Sequence, residues 1–187
     1  MEPPLLLAVL RDTFADSKRV RLSQEEVFAC CADLSKKVQQ HYKPDLVVAI
    51  DTGGSNPGEI IAKILNIPAL HITIRRDITM DRMYNLDPIP LCWMMSLYHH
   101  FLFHTTKPTI SKGVEVDISD KKVLIIDDSF HTGATVDIAV GYLREASVSE
   151  IRIATLAYVS KRKPDFSVLP KGNYSFPWSK DFINKVE

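Results

Sequence analysis

Apolar and polar positions along the chain alternate between two rhythms. Residues 46–50, 68–74, 123–126 and 151–159 are short apolar runs rich in β-branched side chains, the pattern of strands buried on both faces. Between them the apolar positions recur at helical spacing. Ser23-Gln24-Glu25-Glu26 is a capping box that opens a helix running to about Tyr42, with Val27, Phe28, Cys31, Leu34 and Val38 on one face and Cys30 beside them. Lys43-Pro44 ends it. Further helices are predicted over residues 59–65 and 136–145, and the turn between the first of them and the next strand falls at Asn66. Strand and helix alternate, which predicts an α/β fold: an open parallel sheet with helices on both faces.

Two strand-to-helix turns carry candidate chemistry. After residues 123–126 comes Asp127-Asp128-Ser129-Phe130-His131-Thr132-Gly133-Ala134-Thr135, an acidic pair followed by a loop of small and hydroxylated residues. In open α/β sheets ligands bind beyond the carboxyl ends of the strands. A Thr- and Gly-rich loop that opens a helix presents backbone N–H groups and the positive end of a helix dipole, which suits a phosphate. Paired carboxylates beside it suit the vicinal hydroxyls of a sugar or a hydrated magnesium ion. The segment therefore points to a sugar phosphate, although acidic pairs also end strands in receiver-like and other α/β proteins. The second turn, Asp51-Thr52-Gly53-Gly54-Ser55-Asn56-Pro57-Gly58, is a second candidate anion loop, because glycine lets backbone N–H groups come close to an anion. Asp-Thr-Gly also spells the aspartic protease signature. That chemistry needs an all-β lobe and two carboxylates sharing a proton, whereas Asp51 lies in an alternating α/β pattern.

The first of these segments resembles the PRPP-binding motif of type I phosphoribosyltransferases, in which four hydrophobic residues precede two acidic ones and the loop ends in Thr-Gly-x-Thr. Residues 49–60 are similar to the xanthine/hypoxanthine/guanine branch, where a Gly-Gly pair, two residues and a proline lead into a helix. The resemblance implies a single domain over residues 1–187, with a small hood formed by residues 160–187 and a contribution from the N-terminal residues. It implies transfer of a phosphoribosyl group from PRPP to a 6-oxopurine, with Mg²⁺ as cofactor. By the same resemblance Asp127 and Asp128 hold the ribose and, mainly through water, the metal. Ser129, Phe130, Thr132, Gly133, Ala134 and Thr135 cradle the 5′-phosphate, and Thr52, Gly53 and Gly54 bind pyrophosphate. Lys161, with Lys163 as the alternative, meets the purine oxygen, and Tyr174 stacks on the base with Phe176 and Trp178 as neighbours.

Two positions depart from the family pattern. Where hypoxanthine-guanine enzymes carry an aspartate near N7 of the purine, this chain has His131, which leaves open a proton relay or a phosphate ligand. After Pro177-Trp178, where some relatives have a metal-holding acid, it has Ser179, with Asp181 as the substitute. The departures keep two rivals in view: a phosphoribosyltransferase for another nucleobase, and a non-catalytic PRPP- or nucleotide-sensing regulator.

Composition narrows the partners. Of 187 residues, 23 are Lys or Arg and 23 are Asp or Glu, so no overall field draws the chain to nucleic acid or membrane. Cys30, Cys31 and Cys92 show no metal-ligand spacing and no even framework, which predicts a reducing, cytoplasmic setting. The apolar start, residues 4–10, lacks a basic lead-in and is broken by Arg11, so it is expected to pack on the domain or on a partner subunit. Residues 75–117 match neither rhythm; those between Arg75 and Lys112 are a candidate mobile cover over the site, with Arg75 or Arg76 either a neutraliser of pyrophosphate or a solvated charge. Within them residues 91–103 are too apolar for a free loop, and with residues 4–10 they predict a homodimer or homotetramer. His100 and His104 have metal-binding spacing but no third ligand.

Overall fold

The structure is a computed structural model that describes residues 19–51, 53–76 and 108–179. Asp181, Thr52, His100, His104, Cys92 and the apolar segments 4–10 and 91–103 lie outside the described residues. In chain order the elements are β1 (Val20–Arg21), α1 (Gln24–His41), β2 (Leu46–Asp51), α2 (Ser55–Leu65), β3 (Ala69–Arg76), β4 (Pro108–Lys112), β5 (Lys122–Phe130), α3 (Ala134–Glu145), β6 (Glu150–Tyr158), β7 (Phe166–Ser167) and β8 (Tyr174–Ser175).

Six strands form the main sheet in the order β4-β3-β2-β5-β6-β7. All neighbours are parallel except β3 and β4, which run antiparallel, so the sheet is mixed rather than purely parallel. The antiparallel edge strand β4 comes from the segment that carries no clear sequence rhythm. Its burial is mixed, with Pro108 buried and Thr109, Ser111 and Lys112 exposed, as suits an edge.

Alternation along the central strands sorts their side chains to two faces. Val47, Leu124 and Ile126 pack with Val27, Cys31, Leu34 and Val38 of α1 and Ile61 and Ala62 of α2. Leu46, Val48, Ile50, Val123 and Ile125 pack on the other face with Val136, Ala139 and Leu143 of α3. Both faces of β2 and β5 are therefore dry, which is why their sequences are continuous apolar runs. Phe28, expected on the buried face of α1, is 57% exposed, because the face is set by Val27, Cys31, Leu34 and Val38 and Phe28 lies beyond its edge.

The predicted capping box is present. Ser23 Oγ accepts from the N–H of Glu26, and the Glu26 carboxylate accepts from the N–H of Ser23. Helix α2 starts at Ser55, four residues earlier than its apolar pattern begins. Pro57 is tolerated in the first turn because its missing N–H has no intrahelical partner to lose. Gly58 lets the helix lie against Ala49, whose Cβ would be 2.6 Å from a Cβ added at Gly58.

The second, two-stranded sheet joins the ends of the described chain. β1 pairs parallel with β8, Val20 opposite Tyr174 and Arg21 opposite Ser175. The segment after β8 then returns to the core, where Phe176 is buried and stacks on Trp178 with ring centroids 5.2 Å apart. Among the described residues no helix is long and apolar enough to cross a membrane.

Candidate functional site

The strand order reverses between β2 and β5. From β2 the chain passes through α2 to β3 on one side, and from β5 through α3 to β6 on the other. Adjacent strands whose connections leave in opposite directions open a crevice at their carboxyl ends. The two candidate loops are the turns that leave those two ends. They meet there: a Cβ added at Gly53 would fall on the carboxylate of Asp128.

Gly54 is a glycine for a different reason. A Cβ there would strike the carbonyl oxygens of Ile126 and Ile50, so the turn passes directly over β5 and β2. The N–H of Gly54 is donated to the carbonyl of Ile50 at 2.8 Å, closing the turn. Of the two glycines, Gly53 is the one set against the acidic pair.

β5 does not stop at the apolar run but continues through Asp127, Asp128 and Ser129 to Phe130. Both carboxylates are half-buried at the floor of the crevice. Asp127 Oδ1 accepts from the N–H of Asp128 at 2.9 Å, and Asp128 Oδ2 accepts from Trp178 Nε1–H at 2.9 Å. Burial, reinforced by the charge of Asp128, pushes the Asp127 carboxyl well above its ordinary range. Burial also raises Asp128, against the hydrogen bond from Trp178 and the nearby positive charge of His131. Two like-charged oxygen donors that resist ionisation when alone are suited to a hard divalent cation. Among the described residues no group of three or more His, Cys, Asp or Glu could hold a metal by itself. Magnesium characteristically takes one or two carboxylates and completes its shell with water and substrate phosphates, so the pair fits it.

The turn after β5 runs through His131, Thr132 and Gly133 into α3, whose first residues are Ala134 and Thr135. Gly133 is the N-cap and has φ +84°, a left-handed conformation that favours glycine. Thr132 Oγ1 accepts from the N–H of Ala134 at 3.3 Å. Phe130 is buried beneath this turn, so its side chain is core and only its backbone belongs to the loop. His131 and Thr132 are exposed. Arg162 covers the turn: its guanidinium lies 5.6 Å from the Phe130 ring centroid and binds both oxygens of Asp137 at 2.7 and 2.9 Å.

Lys161 is exposed in the turn after β6, next to Arg162. Lys163 lies over the Tyr158 ring at 5.9 Å. Tyr174 is half-buried in β8, and its hydroxyl donates to the carbonyl of Pro170 at 3.2 Å. Beside it, Phe176 stacks on Trp178. Sequence reasoning did not find the Trp178 contact with Asp128, since nothing in a linear pattern links positions so far apart. Nor did it single out His71, which sits between Asp51 and Glu59.

A switch-point crevice with a glycine-bearing turn on each side and paired carboxylates at its floor is the place where open α/β domains bind their ligands. The chain belongs to the phosphoribosyl transferase domain family, which matches residues 22–179. It is 26% identical to the hypoxanthine-guanine phosphoribosyltransferase of Staphylococcus epidermidis over 170 residues, covering 84% of this chain and 86% of that one. Its fold is similar to a purine phosphoribosyltransferase from Pyrococcus horikoshii, with a TM-score of 0.67, 25% identity, and 87% and 95% of the two chains covered. It is also similar, in fold alone, to a hypothetical protein from Neisseria gonorrhoeae with bound ppGpp, at TM-score 0.62 and 17% identity over 89% and 93% of the chains.

Proposed function

We propose that this protein transfers the 5-phosphoribosyl group of PRPP to a ring nitrogen of a 6-oxopurine, releasing pyrophosphate, as a step in purine salvage. The observation that supports the reading is the contact of Gly53 with Asp128, which brings the turn after β2 and the acidic pair together in one crevice. In the reaction the C1′–oxygen bond to pyrophosphate breaks, the electron pair leaves with pyrophosphate, and the purine nitrogen forms the new bond to C1′. The transition state resembles an oxocarbenium ion, so the protein's contribution is positioning and charge stabilisation.

Asp127 and Asp128 hold the ribose hydroxyls. Together they would hold Mg²⁺, which would supply positive charge to the leaving pyrophosphate. Ser129 to Thr135 receive the 5′-phosphate at the N-terminus of α3. Gly53, with Thr52, faces the pyrophosphate. Lys161 meets the exocyclic oxygen and Tyr174 stacks on the ring. His131 exchanges the proton that the purine loses or pairs with phosphate. By analogy with the family the working form is a cytosolic homodimer or homotetramer.

The test is pyrophosphate release from Mg²⁺ and PRPP with hypoxanthine, guanine, xanthine, adenine, uracil and orotate supplied singly. Release with 6-oxopurines alone supports the reading. A second reading, the same transfer to another nucleobase, is favoured by one feature: His131 stands where the hypoxanthine-guanine pattern has an acid. Release with a base other than a 6-oxopurine selects it. PRPP binding without release for any base overturns both in favour of a sensor.

A further inference from the structure

His71 on β3 is in contact with carboxylates on two other elements. Its Nδ1 is 3.0 Å from Asp51 Oδ1, at the end of β2, and its Nε2 is 2.7 Å from Glu59 Oε1, on α2. Asp51 is held from two further directions. Ser55 Oγ donates to its Oδ1 at 2.5 Å, and Thr73 Oγ1 donates to its Oδ2 at 2.8 Å. Ser55 and Glu59 are one turn apart on α2, on the same side of the helix. The bonds close a ring: Asp51 to Ser55, one helical turn to Glu59, across to His71, and back to Asp51. The chain that leads from Asp51 to Ser55, and carries Gly53 against Asp128, is spanned by this ring.

We infer that His71 is a positioning residue for the pyrophosphate turn: by bridging Asp51 and Glu59 it fixes the approach of α2 to β2 and shields an incoming anion from two carboxylates. The inference rests on the phosphoribosyl-transfer reading for the identity of the anion. Both ring nitrogens face carboxylate oxygens, and only the imidazolium has two N–H donors, so the geometry is that of the charged form. Burial works against that charge, but the bonds to Glu59 and Asp51 outweigh it and hold the imidazole above its ordinary 6.5. The charged groups among the described residues that flank the ring come from three strands and one helix. β2 offers Asp51 and α2 offers Glu59. Arg75 is two steps further along the same face of β3, and β4 places Lys112 opposite Thr73. The bridge is thus present below about pH 6.5 and is lost as pH rises through the raised value.

The test is the affinity of the full-length protein for inorganic pyrophosphate and for PRPP, each with Mg²⁺, measured by calorimetry between pH 5.5 and 9. His71→Gln is compared with wild type, with circular dichroism to establish that both are folded. Wild type is expected to bind both ligands, and His71→Gln to bind them about 3- to 10-fold more weakly below pH 7. The ratio of the two proteins' affinities should shrink as pH rises, which cancels the ionisation of the ligand itself. Wild type that binds PRPP while the variant matches it at every pH overturns the role of His71 alone. Wild type that binds neither ligand overturns the phosphoribosyl reading and the inference with it. Should His71→Gln not fold, His71→Asn is measured in its place and judged by the same ratio.

Discussion

The indole N–H of Trp178 donates to Oδ2 of Asp128 at 2.9 Å, joining residues 50 positions apart. The bond ties the segment after β8 to the floor of the crevice. It also gives one carboxylate of the acidic pair a partner that opposes the effect of burial. Trp178→Phe keeps a ring to stack on Phe176 and removes only the donor. The expected cost is about 1–2 kcal/mol, the range for a hydrogen bond to a charged group at a site half open to solvent. Thermal melting should fall by about 2–8 °C, and kcat/KM for PRPP should fall about tenfold because Asp128 loses its fixed orientation. Unchanged kcat/KM would show that the tryptophan merely packs.

Asp127 and Asp128 predict a trade between stability and turnover. Both carboxyls are raised above the ordinary 3.8, the first by burial and its neighbour, the second by burial. A group whose folded pKa exceeds its unfolded one binds protons more tightly when folded. Stability is then lost as pH rises from about 4 through the raised value. Without ligand, Asp127→Asn should melt higher than wild type near neutral pH and show a weaker decline of stability over that window, while turnover drops by orders of magnitude. A lower melting point with the same pH slope would mean that the pair is not strained. Added Mg²⁺ with PRPP should raise the wild-type melting point and leave that of the variant nearly unmoved.

The two glycines of the turn after β2 should fail differently. At Gly54 an added Cβ meets backbone oxygen of Ile126 and Ile50, which cannot swing aside. Gly54→Ala should therefore cost about 1–3 kcal/mol in denaturant unfolding, and turnover should fall with it. At Gly53 the Cβ meets a side-chain carboxylate, which can rotate. Gly53→Ala should unfold close to wild type but bind PRPP poorly, because Asp128 is driven from its place. Equal loss of stability in both variants would contradict the contact.

The central architecture was legible because β2 and β5 are covered on both faces. Complete burial writes an unbroken apolar run, and its short length, β-branched residues and flanking turn residues set it apart from a buried helix. The two strand-to-helix turns were legible as turns for a related reason, since glycine and polar residues break such a run. β4 was not, because an edge strand is half solvated and Pro108–Lys112 carries almost no apolar signal. The start of α2 was missed because Ser55, Asn56, Pro57 and Gly58 spell a turn, and only packing of Gly58 on Ala49 makes them helical. The bonds of Asp128 to Trp178 and of His71 to Asp51 and Glu59 were invisible, since they depend on register between elements rather than on spacing within one.

The aromatic residues after β7 divide into packing and contact roles that a pair of variants separates. Phe176 is 2% exposed, belongs to the core on the α1 side, and stacks nearly parallel on Trp178, with 5° between the rings. Phe176→Ala should cost about 3–5 kcal/mol in unfolding, the range for truncating a buried aromatic ring. Tyr174 is half-buried at the edge of the two-stranded sheet, and its main polar bond is to the backbone of Pro170. Tyr174→Leu keeps apolar bulk in the strand and removes the flat ring. Its unfolding should change by less than about 1 kcal/mol, while the KM for a 6-oxopurine rises about tenfold, as expected for the loss of one base–aromatic stack. PRPP affinity should stay as in wild type. A large stability loss with unchanged KM would move the stacking role away from Tyr174 and return this residue to the core.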